Sequence, residues 1–453
     1  MTSRPVVPNM NGDDVLQNAA PRHVAFLVNH FPIASEIFIM NAAAALGRRG
    51  VALDIIGASG ITELSGNGSG DKDNNPQQDI EREIADNPLI AIRGPLHPYH
   101  RRNRWSAIPR MIAELTARRG IGTTMRVLRI AKTRGGTRFL AQAHALSAQQ
   151  YDAVHCQFGT LGPLALDLRE AGVIDAPIVV HFRGYDISRH VLENGDDVYD
   201  RVFRDADWFI ANCTAFRNRC VKLGCDPAKI DIVSSGADLS QFPFGEREPA
   251  IDGTIRLLAI GRLVAKKGFA TAIEAVQLVR ESGVRVHLNI VGDGPLRNDF
   301  NALIARHDLA RTITFAGALP HSAIAERLAA SDILLAPSET APDGDSDAPV
   351  NTLKEAMATG APVIGSRHGG IPEIIDHGKN GLLFDEGDAE GLAACIRKLA
   401  SDPELRAAMG REGRKTVERS HSLDLATDQY LAVYDRIARD KRGAVTEGRG
   451  IAE

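Results

Sequence analysis

The residues of this chain best suited to chemistry are charged side chains set just past apolar, strand-like runs. Gly261-Arg262-Leu263-Val264-Ala265-Lys266-Lys267-Gly268 follows the run IRLLAIG. It sets a guanidinium at a strand end and an ammonium at a helix entrance. That pairing suits a diphosphate and the charge that grows on it as a sugar–phosphate bond breaks. An exposed loop with ordinary surface lysines fits the segment equally well. Gly292-Asp293-Gly294-Pro295 also follows a strand-like run. Its glycines would let backbone approach a ligand, although a plain tight turn is the better reading. Asp347 and Glu355 are separated by seven residues, about two helical turns. Both acids can therefore face one cleft and accept hydrogen bonds from the vicinal hydroxyls of a ribose or a hexose. For Asp347 alone, compensation of a helix N-terminus is an alternative. Gly369 and Gly370, in Arg367-His368-Gly369-Gly370-Ile371-Pro372-Glu373, offer backbone N–H groups at a helix start, a ready anion site. An ordinary strand-to-helix turn explains them too, and their pairing with Glu355 one element earlier favours function. Asp343, Asp345 and Asp347 could in principle hold a cation, but a solvated acidic loop is favoured.

These residues need a scaffold that brings distant strand ends together. The chain has 453 residues with 44% hydrophobic content, which predicts two or three domains. After an N-terminal stretch expected to be disordered (1–21), HVAFLVN, a helix over 35–50 and VALDIIG open a βαβ pattern. Residues 58–80 read as a flexible loop and 93–138 as a basic stretch. Strand-like runs at 151–158, 176–182, 207–212 and 229–236 then alternate with helical ones, including one near 196–205. A polar, turn-rich linker falls at 243–253. The second half repeats the alternation more cleanly, with strands at 254–261, 284–292, 312–317, 332–338 and 361–366. This order predicts an α/β protein with two Rossmann-like domains, 22–245 and 246–422, each a parallel sheet covered on both faces. A long helix over 423–441 and a tail over 442–453 follow.

Other classes are disfavoured. The formal charge of −4 is small for this length. Cys156, Cys213, Cys220, Cys225 and Cys395 are odd in number with no CxxC pair, so neither a disulfide framework nor a zinc site is expected. No apolar run approaches a membrane span, and the N-terminal stretch has no apolar leader core. A cytoplasmic protein is expected, lying peripherally on the inner face of the cytoplasmic membrane if its basic stretch binds lipid. Neither first strand runs into GxGxxG, which disfavours a nicotinamide dehydrogenase.

Together, GRLxxKKG, GDGP, the acid–seven–Glu element, GGIPEII and NGLLF resemble glycosyltransferase family 4, the retaining nucleotide-sugar transferases with the GT-B fold. NHFPIASEIFI, at 29–39, is similar to the opening loop of its exopolysaccharide members related to colanic-acid transferases. The resemblance implies two parallel-sheet domains facing across a cleft, and a C-terminal helix packing back on the first. It implies transfer of a hexose from a UDP- or GDP-sugar to a glycan or polyprenyl-diphosphate-linked acceptor, with no cofactor and no metal. Arg262 and Lys267 would hold the diphosphate, Glu355 the ribose and Asp347 the sugar hydroxyls. Gly261, Gly292, Gly294, Gly369 and Gly370 would approach the donor through backbone. Ala318 and Leu319 would flank the base. Ser35 and Glu36 would face the acceptor. The departing diphosphate would help take the acceptor proton.

The chain departs from this pattern in several places. Asp347 stands where Glu is usual, and Pro349 follows it by two residues instead of three. Arg183, in Arg183-Gly184-Tyr185-Asp186, replaces the histidine of HGxD, and Gln157 replaces a second histidine after His155. His181 is an alternative acceptor-side group, with a buried core histidine the preferred reading. The 93–138 stretch holds twelve Arg or Lys against one acid, Glu114. It suggests attraction to anionic lipid headgroups or to a polyprenyl-diphosphate acceptor, with Trp105 at the interface, or else a solvated helical surface. Nucleic acid is not expected, because no recognition motif accompanies the charge. Two alternatives to transfer are a nucleotide-sugar 2-epimerase-like isomerase and a weakly catalytic sugar-nucleotide-binding partner protein.

Overall fold

The computed structural model describes residues 22–31, 36–61, 83–93, 104–247, 252–347 and 350–449. Two all-parallel sheets dominate it. The first joins β1 (His23–Phe31), β2 (Ala52–Ile61), β3 (Ile90–Arg93), β4 (Ala153–Cys156), β5 (Ile178–Phe182), β6 (Trp208–Ala211) and β7 (Ile230–Ile232), in the order β3-β2-β1-β4-β5-β6-β7. The second joins β8 (Ile255–Ile260), β9 (Val286–Val291), β10 (Ile313–Gly317), β11 (Ile333–Ala336), β12 (Val363–Ser366) and β13 (Leu382–Phe384), in the order β10-β9-β8-β11-β12-β13. Strand order reverses between β1 and β4 and between β8 and β11. Open α/β sheets bind ligands beyond the carboxyl ends of their strands at such reversals.

The strands read as continuous apolar runs because helices cover both sheet faces. Leu27, Val154 and Val180 pack on one face of the first sheet, while Val24, Phe26 and Leu53 pack on the other. The second sheet is clothed in the same way, with Leu257 and Leu288 on one side and Leu258 and Val363 on the other.

The C-terminal helix, Leu423–Arg449, returns to the first domain. Ala426, Tyr430, Val433, Tyr434 and Ile437 bury one helical stripe beside β1 and the Ile37–Arg48 helix. Each large side chain contributes about 1.5–3 kcal/mol by leaving water. Arg49 bonds Asp428 at 2.7 Å, and Arg436 bonds Asp231 at 2.9 Å. The crossing is close: a Cβ on Gly236 would lie 2.4 Å from the Cα of Leu423.

Several expectations are corrected. The final helix does not end near 441 with a tail from 442; its backbone stays helical to Arg449, through Gly443 and Gly448, with no proline in the stretch to stop it. β2 runs on to Ile61, its ladder to β1 continuing past an irregularity to Phe31↔Ile61, so the loop expected from 58 begins later and its remainder, to 80, lies outside the described residues. The helix expected near 196–205 is shorter, Asp200–Asp205, and a separate short helix, Arg189–Asn194, precedes it. The basic stretch is a helix, Arg104–Ala131, broken at Gly120 and followed by Thr137–Leu146. The side chain of Trp105 lies outside the described residues.

Candidate functional site

A cavity of about 620 Å³ opens between the two domains at both strand-order reversals. Arg262, Lys267, Asp347 and Glu355 all border it, with Gly261, Gly292, Ala318 and Leu319. Glu36 and Arg183 border it from the first domain. Gly294, Gly369, Gly370 and His181 do not form its wall. Ser35 and Pro349 lie outside the described residues.

The second-domain wall depends on close backbone packing. Gly268 has φ +62°, and a Cβ there would lie 1.8 Å from the carbonyl oxygen of Pro337. Gly292 has φ +139° and a comparable approach of 1.9 Å to the Gly261 carbonyl. A side chain at Gly268 would drive the β8 and β11 loops apart, and one at Gly292 the β8 and β9 loops. Gly294 instead packs against the backbone of Leu263.

Three cations stand on these loops. Lys267 Nζ donates to Asp347 Oδ2 at 2.5 Å. Lys266, which the sequence reading did not single out, pairs with Asp345 at 3.0 Å and reaches Asp347 at 3.7 Å. Arg262 is exposed, and its guanidinium has no hydrogen-bond or ion-pair partner among the described residues. Burial pushes the Asp347 carboxyl up, but Lys267, Lys266 and the Ser338 hydroxyl outweigh it and hold the group below its ordinary value. The acidic loop is thus ion-paired rather than freely solvated: Asp343 also meets Arg189 of the first domain at 2.9 Å. Among the described residues no group of three or more His, Cys, Asp or Glu is arranged to hold a metal ion.

The glycines after β12 serve this loop from behind. A Cβ on Gly369 would lie 2.6 Å from the Asp347 carbonyl oxygen. The Asp347 N–H donates to His368 Nε2 at 3.2 Å. Nε2 is therefore the acceptor nitrogen, and Nδ1–H donates to Glu386 at 2.8 Å. This fixes the orientation of His368 and, through it, the backbone that carries Asp347.

Glu355 rises from the Asn351–Thr359 helix, with His321 Nε2 3.4 Å from its Oε1. His321 and Ile324 join Ala318 and Leu319 in the wall there. The preceding residue, Lys354, points the other way. It is 1% exposed and donates to Ser234 Oγ at 2.7 Å and Ser235 O at 2.5 Å, in the first domain. Burial pushes its ammonium down to about 7. A second tie is Glu373, whose carboxylate accepts from the Thr214 N–H and hydroxyl, both at 3.0 Å.

On the first-domain wall the two departures from the family pattern turn out to be partners. Arg183 Nε donates to Gln157 O at 2.9 Å and its Nη2 to Gln157 Oε1 at 2.7 Å. The guanidinium lies 4.7 Å from the centre of the Phe38 ring. Below it, His181 is fully buried and bonded to Asn212 at 2.8 Å, so the acceptor-side alternative for His181 is replaced by a core role. Asp186 shapes the turn by accepting the N–H groups of Gly159, Arg183 and Gly184.

Two parallel α/β domains, a cleft at both reversals and a cationic wall opposite a polar one define a GT-B glycosyltransferase architecture. The chain belongs to the glycosyl transferases group 1 family, which it matches over residues 244–416, and a glycosyl transferase 4-like domain covers 35–236. It is 30% identical over 405 residues to the putative colanic acid biosynthesis glycosyltransferase WcaL of Escherichia coli (strain K12), covering 87% of this chain and 95% of that one. It is 34% identical over 282 residues to the amylovoran biosynthesis glycosyltransferase AmsK of Erwinia amylovora, covering 62% and 69%. Its fold is similar to Anabaena HepE, solved in complex with UDP and glucose (TM-score 0.63, 17% identity, 92% and 100% coverage). No helix among the described residues is long and apolar enough to cross a membrane.

Proposed function

We propose that the protein is a retaining, metal-independent hexosyltransferase of exopolysaccharide assembly. It would move a sugar from a UDP- or GDP-sugar to a glycan or polyprenyl-diphosphate-linked acceptor. One observation carries this reading: Arg262, Lys267, Asp347 and Glu355 share one cavity, with Arg183 and Glu36 on the opposite domain. The second domain, 246–422, would bind the donor and the first, 22–245, the acceptor. The Lys267–Asp347 pair is suited to open onto the donor, the ammonium turning to the diphosphate and the carboxylate to sugar hydroxyls. Arg262, its guanidinium unpaired among the described residues, would meet the charge on the leaving oxygen. Attack from the face on which the diphosphate departs retains anomeric configuration, the leaving oxygen helping to take the acceptor proton. The relatives named above are transferases, which favours transfer over epimerisation.

The test is a melting-temperature panel with UDP-, GDP- and ADP-hexoses, since binding stabilises by mass action, followed by product analysis. One donor class should raise the melting temperature above the rest and yield a glycoside of retained configuration. An inverted glycoside, or an epimerised donor with no acceptor consumed, rejects the reading.

A membrane-facing role for the basic helix is supported by its corner at Gly120. Ile121 and Met125 are 72% and 61% exposed there. Exposed Arg129, Lys132 and Arg138 follow along the chain, unpaired among the described residues. Apolar side chains with nearby cations suit an anionic lipid surface.

A further inference from the structure

Four carboxyl side chains among the described residues border the cavity: Glu36, Asp293, Asp347 and Glu355. Three have a basic partner. Asp347 has two lysines, Glu355 has His321, and Asp293 has Arg297 at 3.8 Å. Glu36 has none. It stands at the N-cap of the Ile37–Arg48 helix but makes no capping hydrogen bond with its side chain. Its Oε2 is shut off from solvent and has no hydrogen-bond partner among the described residues. A buried carboxylate oxygen without a donor is costly unless something supplies one. What such an oxygen lacks is a donor, and the Glu36 side chain borders a cavity suited to a hydroxylated substrate, whose O–H groups are donors.

We infer that Glu36 is a catalytic residue of the transfer step, the enzyme's own proton acceptor for the attacking hydroxyl. In the step, the acceptor O–H bond breaks and its proton passes to a Glu36 carboxylate oxygen. The oxygen's electron pair forms the new bond to the anomeric carbon. The bond from that carbon to the phosphate oxygen breaks, and its pair leaves on the diphosphate beside Arg262 and Lys267. Glu36 thus adds a protein base to a step otherwise assisted by the leaving oxygen alone. The inference rests on the glycosyl-transfer reading and deepens it.

The setting tunes the group for this task. Burial pushes Glu36 up to about 7, and Arg183 opposes the rise. A general base works best when its value lies near the operating pH. Arg183 and Tyr430 lie on the first-domain side, and Asp238, Lys354 and Glu355 border the small hollow beside Ile37 and Phe38. Arg262, Lys266, Lys267, Asp293, His321 and Asp347 face the cavity from the second domain. Lys354 is displaced to about 7 as well, so a pH profile must be compared between wild type and a Glu36 variant to be assigned.

The experiment uses the full chain with UDP-glucose, UDP-galactose, GDP-mannose and ADP-glucose, and two acceptors. Water must lose a proton to react, whereas azide has none to lose. For the donor that wild type consumes, Glu36→Gln should slow hydrolysis at least ~100-fold, yet leave glycosyl azide formation within about threefold of wild type. Wild-type hydrolysis should rise with pH through about 7, a limb absent in Glu36→Gln and kept, at a lower rate, in Glu36→Asp. Equal losses with water and azide, unchanged hydrolysis, or a limb that persists in Glu36→Gln overturns the assignment. A wild-type protein that neither binds nor consumes any of the four donors overturns the transferase reading itself.

Discussion

Replacing Lys354 by Met should change how the stability of this protein depends on pH. Lys354 is buried against the first domain, and burial lowers it from 10.5 to about 7 while Glu355 opposes the fall. Between those values the unfolded chain holds a proton that the folded chain does not. The burial penalty is therefore fully present below pH 7, on the order of 4–5 kcal/mol. It shrinks as pH rises, by about 1.4 kcal/mol per pH unit at most, and vanishes above the unfolded value. From pH 7 to about 8.5 the lysine should return ~1.7 kcal/mol of stability. Methionine removes the penalty but leaves Ser234 Oγ and Ser235 O without their donor, at a cost of about 1–3 kcal/mol. The variant should thus equal or exceed wild type at pH 7 and lose ground by ~1.7 kcal/mol at about pH 8.5. Urea unfolding of both proteins at the two pH values measures this, and other titrating groups cancel in the comparison. Parallel pH dependences in wild type and Lys354→Met would refute a buried, depressed lysine at the domain junction.

Asp347→Asn removes the anion that occupies Lys267 and Lys266. UDP alone should bind several-fold more tightly by calorimetry, while donor turnover falls because the sugar loses its acceptor carboxylate. Ile121→Glu with Met125→Glu should abolish co-sedimentation with phosphatidylserine vesicles and leave the melting temperature within about 2 °C of wild type, since both side chains are exposed.

What could be read in advance, and what could not, divides along a physical line. Long apolar runs such as those of β1, β8 and β9 announce buried parallel strands, because a sheet covered on both faces admits few polar residues. β3 and β13 are edge strands of four and three residues, too short for any period to register. In the basic stretch, Ile108, Met111, Ile112 and Leu115 follow a helical i, i+3, i+4, i+7 spacing, which the surrounding charge obscures. Arg262 and Lys267 are visible because they follow a strand end, and Asp347 and Glu355 because their spacing sets both acids towards one cleft. The partners that hold them are harder to see. His368 steadies Asp347 from the next strand, His321 meets Glu355 from another helix, and Gln157 grips Arg183 across two strands. Such pairings depend on which elements the topology brings together, and local spacing does not encode it. Arg183 and Gln157 each depart from the family pattern when read singly. In space they form one unit, in which two exchanged side chains satisfy each other.

The cationic mouth of the second domain can be tested directly by measuring UDP-hexose and GDP-hexose binding and turnover in wild type and in Arg262→Ala, Lys267→Ala. Loss of two charge-bearing donors to the leaving group should cost turnover at least ~10²–10³-fold and abolish the donor-induced melting shift. Donor binding and turnover that survive the double substitution would contradict the account.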